Sequence, residues 1–279
     1  MKIIAECGAT KSDWRLINNG EEVRQVTSSG INVSTMKMSA IADTINRLAA
    51  EFREESDSIT ALHVYVAGVI TDEIEADLKA NLQEPFPGAD IEIQTDLIAA
   101  ARAACGHSPG IATILGTGSN SCQYDGTRIV KRVYSSGFIL GDEGSAATLG
   151  KLFVADFLKG LVPEEIAKDF SSRYKTDYST IVANVYRSEN SPSGYLGSFA
   201  PFIMEYYHHP YIKDLVDGNF RAFIRRSLKQ YDTDNLPVGV IGGFGCALKD
   251  IFERIAAEEG IKISRFLKDP IIGLVEYHS

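Results

Sequence analysis

The sequence contains little cysteine, and its cysteines form no recognisable motif. The four among 279 residues are Cys7, Cys105, Cys122 and Cys246, which lie far apart. They form neither a CxxC pair nor a Cys/His cluster with the spacing of a zinc site. We therefore expect reduced thiols and a cytoplasmic protein.

Long apolar runs and an excess of basic residues are also lacking. The N-terminus reaches Glu6 without an apolar segment of the signal-peptide type, and no later window offers about 18 uncharged apolar residues. The formal net charge is −9, and no basic run dominates any segment. We therefore expect neither a membrane nor a nucleic acid as a partner, and the charge favours small-molecule chemistry.

The length and composition indicate a two-domain globular protein. A chain of 279 residues is long for one compact core and typical of two domains. Its 44% hydrophobic residues and 24 glycines are typical of α/β proteins. We expect two lobes with a cleft between them.

One pattern occurs twice in the chain. Residues 2–27 read as a strand, a Gly/Thr loop, a strand, an Asn-Gly turn and a strand. Residues 111–133 repeat this order, with an Asp-Gly turn in place of Asn-Gly. An internal duplication explains two similar lobes economically. The predicted boundaries are 1–107 for the first lobe and 108–279 for the second, and the last helix is expected to pack back on the first lobe.

The remaining elements follow from hydrophobic periodicity and turn residues. Between the two copies we predict a helix around residues 41–52, a strand at 61–66, a helix capped near Thr71, a strand around 91–93 and a helix at 97–105. After Gly144 we predict helices near 144–159, 163–170, 175–187, 196–208 and 211–230. A strand at 238–241, a helix to about 259, a strand at 261–266 and a helix at 269–277 complete the chain.

Both Gly/Thr loops directly follow an apolar strand, where backbone N–H groups and hydroxyls can converge on phosphate oxygens. Neither loop has the form of a P-loop or of a dinucleotide fingerprint. For the first loop alone, an ordinary hairpin entry is an equally good interpretation. Two similar loops favour phosphate binding, and the candidate phosphate ligands are Gly8, Thr10, Lys11, Ser12, Gly116, Thr117 and Gly118.

Four segments, in this order along the chain, carry a resemblance to a known family. They are Glu6-Cys7-Gly8-Ala9-Thr10-Lys11-Ser12, Leu115-Gly116-Thr117-Gly118-Ser119-Asn120, Gly141-Asp142-Glu143-Gly144-Ser145 and Gly242-Gly243. The chain resembles the N-acetylglucosamine kinases and BadF/BadG-type ATPases, within the superfamily of sugar kinases, Hsp70 and actin. This resemblance implies two ribonuclease-H-like lobes with ATP in the interlobe cleft. It places Gly242 and Gly243 near the adenosine, although close packing of a strand against a helix explains them equally well.

Two acidic residues have predicted roles in catalysis. Mg²⁺ is expected because a triphosphate needs its charge neutralised, and Glu6 at the end of the first strand is placed to hold it. Many members of the superfamily have Asp at that point. Asp96 follows a strand and begins a helix, so as a bare residue it is more readily a helix N-cap. The resemblance instead favours Asp96 as the general base that accepts the proton of a sugar hydroxyl.

Paired acids beside glycines suit a polyhydroxylated sugar, since carboxylates accept hydrogen bonds from hydroxyls. Asp142 and Glu143 fit this description, and they can also open the helix near Ser145. Asn32 resembles the family's sugar-contacting Asn, and is alternatively a turn former. The similar kinases often have Ser where this chain has Ala67. The predicted substrate contacts are Asn32, Asp96, Ser119, Asn120, Asp142 and Glu143.

The resemblance implies an ATP-dependent hexosamine kinase, with the 6-hydroxyl of N-acetylglucosamine as the leading acceptor. Glucosamine, N-acetylmannosamine and N-acetylmuramic acid stay open as substrates, because sugar selectivity depends on loop geometry. An activator ATPase of the BadF/BadG type and a non-catalytic sugar or nucleotide sensor are the alternatives. The cysteine pattern offers no pair for the iron–sulfur cluster of such activators. A homodimer through the helical part of the second lobe is the expected assembly.

Overall fold

A computed structural model describes residues 1–8, 11–34, 36–68, 71–187 and 191–279. The chain forms two compact units. The first contains Met1–Ser108, Gly126–Arg128 and Asp269–Ser279, and the second contains Pro109–Asp125 and Ile129–Lys268. The C-terminal segment is therefore part of the first unit.

Each unit contains one five-stranded sheet. The strands of the first are β1 (Lys2–Cys7), β2 (Lys11–Asn18), β3 (Glu21–Ser29), β4 (Ala61–Val66) and β5 (Asp90–Thr95). Those of the second are β6 (Gly110–Leu115), β7 (Ser119–Tyr124), β8 (Ile129–Val133), β9 (Val238–Ile241) and β10 (Ile263–Leu267). The spatial orders are β3-β2-β1-β4-β5 and β8-β7-β6-β9-β10.

The two sheets share one topology. In each, the first three strands form an antiparallel meander, and the first strand also pairs in parallel with the fourth, which pairs in parallel with the fifth. The two copies of the repeated pattern form the two meanders. The predicted α/β fold with two ribonuclease-H-like units is confirmed.

Thirteen α-helices lie in the described part of the chain. They are α1 (Met38–Glu51), α2 (Asp72–Gln83), α3 (Asp96–Cys105), α4 (Gly137–Leu140), α5 (Ala146–Leu158), α6 (Glu164–Arg173), α7 (Tyr178–Tyr186), α8 (Pro192–Gly197), α9 (Ala200–Glu205), α10 (Pro210–Arg226), α11 (Gly243–Ala247), α12 (Lys249–Glu258) and α13 (Pro270–His278). Within that part, none has the length and apolar character needed to span a membrane.

The first unit packs helices on its mixed sheet. One face of the sheet buries Ile3, Ala5 and Trp14 in a core that includes the apolar stripe of α1. Trp14 is 1% exposed and is one of the largest side chains of this core. The helix α13 packs against α3 and β1, and a Cβ on Gly273 would lie 2.5 Å from the carbonyl oxygen of Ala103. The C-terminal helix is thus closely fitted to the first unit.

Two of the predicted helices are each divided in two. The helix expected at 196–208 is α8 followed by α9, and Pro201 lies in the first turn of α9, where a missing N–H group costs least. The helix expected after Gly243 is α11 followed by α12, with Leu248 between them in a non-helical conformation. The predictions missed both divisions because the apolar residues continue at helical spacing across them.

Candidate active-site residues

The first Gly/Thr loop lies between β1 and β2, and its described ends, Gly8 and Lys11, are hydrogen-bonded to each other. The N–H group of Gly8 donates to the carbonyl of Lys11 at 3.0 Å, and the carbonyl of Gly8 accepts from Ile31 at 3.1 Å. The Lys11 side chain is 57% exposed, and its ammonium lies 3.5 Å from Asp13. Thr10, a predicted phosphate ligand, lies outside the described residues. Lys11 therefore presents a positive charge at this loop.

Ser12 is placed differently from its loop neighbours. It lies opposite Cys7 in the β1–β2 pairing, and its hydroxyl is fully buried beside that thiol. Cys7 is 1% exposed, and this burial raises the pKa of its thiol to about 12. The hydroxyl of Ser12 is thus turned into the core, and a ligand at the loop could meet at most its main chain.

Glu6 is surrounded by other carboxylates of the first unit. It lies opposite Asp13 in the β1–β2 register. The pKa of Glu6 is raised to about 7, first by burial and then by the negative charges of Asp269, Asp13 and Asp96, against a smaller opposing effect of Lys11. The native protein therefore holds an incompletely neutralised acidic group at this position.

This acidic group fits a divalent cation. Mg²⁺ binds through one or two carboxylates and takes its remaining ligands from water and phosphate. The Asp13 carboxylate is already paired with Arg15, at 2.7 Å, whereas the burial and the neighbouring acids of Glu6 oppose its ionisation unless a positive charge is added. Glu6 is therefore the residue of this group best suited to hold the ion.

Asp96 is the first residue of α3, and it is not the N-cap. Thr95 occupies the cap position, and its hydroxyl accepts a hydrogen bond from the N–H group of Ile98 at 3.3 Å. The alternative in which Asp96 caps the helix is therefore wrong. Its carboxylate is partly exposed and close enough to Glu6 to affect the pKa of that residue.

In the second unit, the loop after β6 is bonded to the start of α5. The carbonyls of Gly116 and Thr117 accept hydrogen bonds from the N–H groups of Ala146 and Ala147, each at 3.0 Å. The N–H group of Gly116 donates to the carbonyl of Gly118 at 3.0 Å. Within the described residues, the N–H groups of Thr117 and Gly118 have no acceptor, so they can serve an anionic ligand.

Asp142 faces this loop from the Gly141–Ser145 run. It is buried, with a φ of 55°, and its Oδ1 accepts a hydrogen bond from the N–H group of Ser119 at 3.3 Å. A Cβ on Gly118 would lie 3.1 Å from Oδ2 of Asp142, so the close approach favours glycine there. Burial raises the pKa of Asp142. The Asp142 carboxylate thus supports the second loop, and its contact with sugar stays a prediction.

Asn219, on α10, was not among the predicted residues. It is 3% exposed, its Oδ1 accepts from the N–H group of Gly144 at 2.9 Å, and its Nδ2 donates to the carbonyl of Ser145 at 3.1 Å. Ser145 in turn caps α5, accepting from the N–H group of Thr148 at 3.1 Å. No local signal marks Asn219, because its partners lie in a distant part of the sequence. Asn219 holds the Gly141–Ser145 run in place.

Gly242 occupies a position that only glycine fits well. Its φ is +118°, and a Cβ would lie 2.6 Å from the carbonyl oxygen of Leu115, the last residue of β6. The close-packing interpretation therefore describes Gly242. Gly243 begins α11 and is exposed, and a Cβ added there would have no described atom within 4 Å. Its predicted proximity to adenosine stays a prediction.

Three predicted sugar contacts also have local roles. The side-chain oxygen of Asn32 accepts from the N–H group of Ser34 at 2.9 Å, which is a turn of the kind that asparagine favours. The side-chain oxygen of Asn120 accepts from the N–H group of Ser121 at 3.0 Å. Glu143 pairs with Arg226 at 2.8 Å. Each of these bonds uses one oxygen of the side chain, so the second polar atom of each side chain can still contact a sugar.

The fold can be compared with those of solved structures. A protein from Porphyromonas gingivalis, provisionally assigned as an N-acetylglucosamine kinase, is 35% identical, with a TM-score of 0.93 over 100% of this chain and 98% of that one. The chain belongs to the N-acetylglucosamine kinase family. No protein-family model and no curated protein matches it.

Two less similar solved structures share the fold of this N-acetylglucosamine kinase family. A Chromobacterium violaceum protein with the same provisional assignment is 19% identical, with a TM-score of 0.81 over 100% of this chain and 98% of its own. A glucokinase of the ROK family from Streptomyces griseus, solved with glucose and AMPPNP, is 18% identical, with a TM-score of 0.56 over 99% and 97%. These two likenesses concern the fold alone.

Proposed function

We propose that the protein is an ATP-dependent sugar kinase that phosphorylates N-acetylglucosamine at its 6-hydroxyl. The observation that carries this proposal is the likeness to the P. gingivalis protein over nearly the full length of both chains. The grouping of Glu6 and Asp96 in the first unit supports it, because a kinase needs one carboxylate for the metal and one for the attacking hydroxyl.

Asp96 is the proposed general base. Its partly exposed carboxylate accepts the proton of the sugar hydroxyl as the hydroxyl oxygen attacks the γ-phosphorus of ATP. The bond between the γ-phosphorus and the β–γ bridging oxygen breaks, and ADP is the leaving group. Bound Mg²⁺ would supply charge neutralisation, with Glu6 as its protein ligand. Because phosphoryl transfer depends mainly on positioning and electrostatics, the base need not be strongly basic.

The remaining residues bind and position the reactants. Lys11 and the free N–H groups of Thr117 and Gly118 are the proposed contacts for the phosphates. Asp142 and Asn219 act on the reaction indirectly, since they hold the second loop and the neighbouring Gly141–Ser145 run. Glu143 is the member of that run whose carboxylate is partly exposed, so it stays the proposed sugar contact there.

The test is ADP release from Mg-ATP with N-acetylglucosamine, N-acetylmannosamine, glucosamine, N-acetylmuramic acid and glucose. Asp96→Asn should abolish sugar-stimulated turnover and preserve nucleotide binding. Asp72→Asn is the matched control, because Asp72 is also the first residue of a helix that follows a threonine N-cap. It should retain the wild-type rate. NMR of the product should show the phosphate ester at carbon 6.

The outcomes separate the alternatives. If no sugar stimulates ADP release, the kinase proposal fails. Sugar-independent turnover with bound iron would indicate an activator ATPase, and binding without turnover would indicate a sensor. If Asp72→Asn loses as much activity as Asp96→Asn, the base assignment fails.

We include a cytoplasmic location in the proposal. All four cysteines are free thiols, which fits a reducing compartment.

We also propose that the enzyme is a homodimer through α4, α5 and α7. An apolar groove of about 360 Å³ lies among these helices. At its rim Ile139 is 73% exposed and Tyr186 is 80% exposed. Apolar surface of this kind marks interaction sites. Ile139→Asp should shift the mass measured by light scattering from dimer to monomer, and an unchanged mass would exclude this face.

A further inference from the structure

Two histidines and a glutamate meet in the first unit, at the far end of α13 from Asp269. His63 on β4 and Glu92 on β5 are paired neighbours in the parallel register, and His278 is the last residue of α13. One potential ligand atom from each lies within 4.8 Å of the other two. The helix separates this cluster from Asp269 by roughly 13 Å at 1.5 Å per residue.

The side chains are already held in place. His63 Nδ1 lies 2.8 Å from Oε2 of Glu92, and Oε1 of Glu92 lies 2.8 Å from the guanidinium of Arg102. Arg102 also donates to the hydroxyl of Tyr65 at 2.7 Å, and that hydroxyl lies 2.7 Å from His278 Nε2. The bond from Arg102 to Glu92 thus resembles the outer hydrogen bonds that orient ligands at metal sites, whereas His278 gives up its bond to Tyr65 when its ring turns toward the ion.

We propose that His63, Glu92 and His278 form a binding site for one transition-metal ion of the zinc class. Two imidazoles and one carboxylate are a donor set that zinc uses, with water at the open position. The ion replaces the proton between His63 Nδ1 and Glu92 Oε2, and Arg102 keeps its bond to Oε1. Binding joins the C-terminal helix to β4 and to the edge strand β5 of the sheet.

Two features oppose tight binding. The rings of His63 and His278 are stacked, with centroids 3.8 Å apart and planes at 21°, so the His278 ring must rotate for both histidines to ligate one ion. Its place in the last turn of the helix permits this rotation. Arg102 is positively charged, and the Lys2 ammonium contacts the carbonyl of His278. We therefore expect a dissociation constant on the order of 10 µM, weaker than in structural zinc sites.

The experiment is a titration of the full-length, chelator-treated protein with Zn²⁺ by calorimetry, and with Co²⁺ by visible absorption. The expected result is one ion per chain, with the intense bands of four-coordinate Co²⁺. His63→Ala and His278→Ala should each weaken binding by at least about tenfold. His107→Ala is the matched control, because His107 contacts Tyr277, the neighbour of His278, and is not part of the cluster.

Several results would overturn the proposal. Absence of one-to-one binding by the wild-type protein would do so, as would wild-type affinity in a folded His63→Ala variant. Loss of binding in His107→Ala to the same extent would place the ion elsewhere. Circular dichroism of each variant identifies misfolding, and the Co²⁺ spectrum of the wild-type protein tests the coordination without any substitution.

Discussion

Replacing Glu6 by glutamine should stabilise the protein while removing its activity. The native pKa of Glu6 is about 7, against an ordinary value of 4.5, because the carboxyl is buried among other acids. The native state therefore holds this proton more tightly than the unfolded chain does. As pH rises from 4.5 through 7, the wild-type protein loses stability, whereas glutamine does not titrate.

The size of the effect follows from the pKa shift. A shift of one pKa unit corresponds to about 1.4 kcal/mol. The ionisation of Glu6 would therefore lower the free energy of unfolding by up to about 3 kcal/mol at pH 8 and by about 1 kcal/mol at pH 5. Part of the side chain remains exposed, and solvent screening reduces both values. We expect Glu6→Gln to gain about 2 kcal/mol at pH 8 and less than about 1 kcal/mol at pH 5.

The assay is urea-induced unfolding of both proteins at the two pH values, without nucleotide or divalent cations. Glu21→Gln is the control, because Glu21 is an exposed glutamate on β3 of the same sheet. It should change stability little at either pH. If the advantage of Glu6→Gln is absent, or does not grow between pH 5 and pH 8, the electrostatic reasoning is refuted.

Two further predictions concern the second unit. Gly150→Ala would place a Cβ 1.9 Å from the carbonyl oxygen of Leu196, so urea unfolding should show a loss of about 2–3 kcal/mol. Gly218→Ala, within α10 and with no atom within 4 Å of the new Cβ, should instead gain about 0.5–1 kcal/mol, and equal effects of the two would contradict the packing. Asn219→Ala should cost about 1–3 kcal/mol, because its two buried main-chain partners lose their hydrogen bonds. The same variant should bind ATP more weakly in a fluorescence titration, and unchanged affinity would mean that the run it supports does not affect the nucleotide site.

Local signals in the sequence predicted most of the fold. The short apolar run before the first Gly/Thr loop and the Asn19-Gly20 turn predicted the meander β1–β3, and both signals depend on neighbours a few residues apart. Thr71 was correctly predicted near the start of α2, where its hydroxyl accepts from Ile74. The repeated pattern anticipated the common order of the two sheets, because each copy contains a complete hairpin-based meander.

The candidate site was only partly predictable from the sequence. Glu6 lies near the end of one recognisable strand and Asp96 directly follows another, and the structure brings the two carboxylates close together in the first unit. The contribution of Asp13 to the raised pKa of Glu6 could have been inferred from the hairpin register, which sets Asp13 opposite Glu6. The contribution of Asp269 could not be inferred, because the prediction that the last helix packs on the first lobe did not say which strand it meets, and in the structure α13 packs against β1.

The sequence alone thus determined the strands, most helices, the two loops and the family, because these depend on short-range periodicity and on residues contiguous in the chain. Tertiary structure decided which way the side chains face. It turned the Ser12 hydroxyl into the core and set the Asp142 carboxylate against the second loop. It also placed Asn219 beneath the Gly141–Ser145 run. Burial and hydrogen-bond partners at these positions come from segments distant in sequence, and only packing brings those segments together.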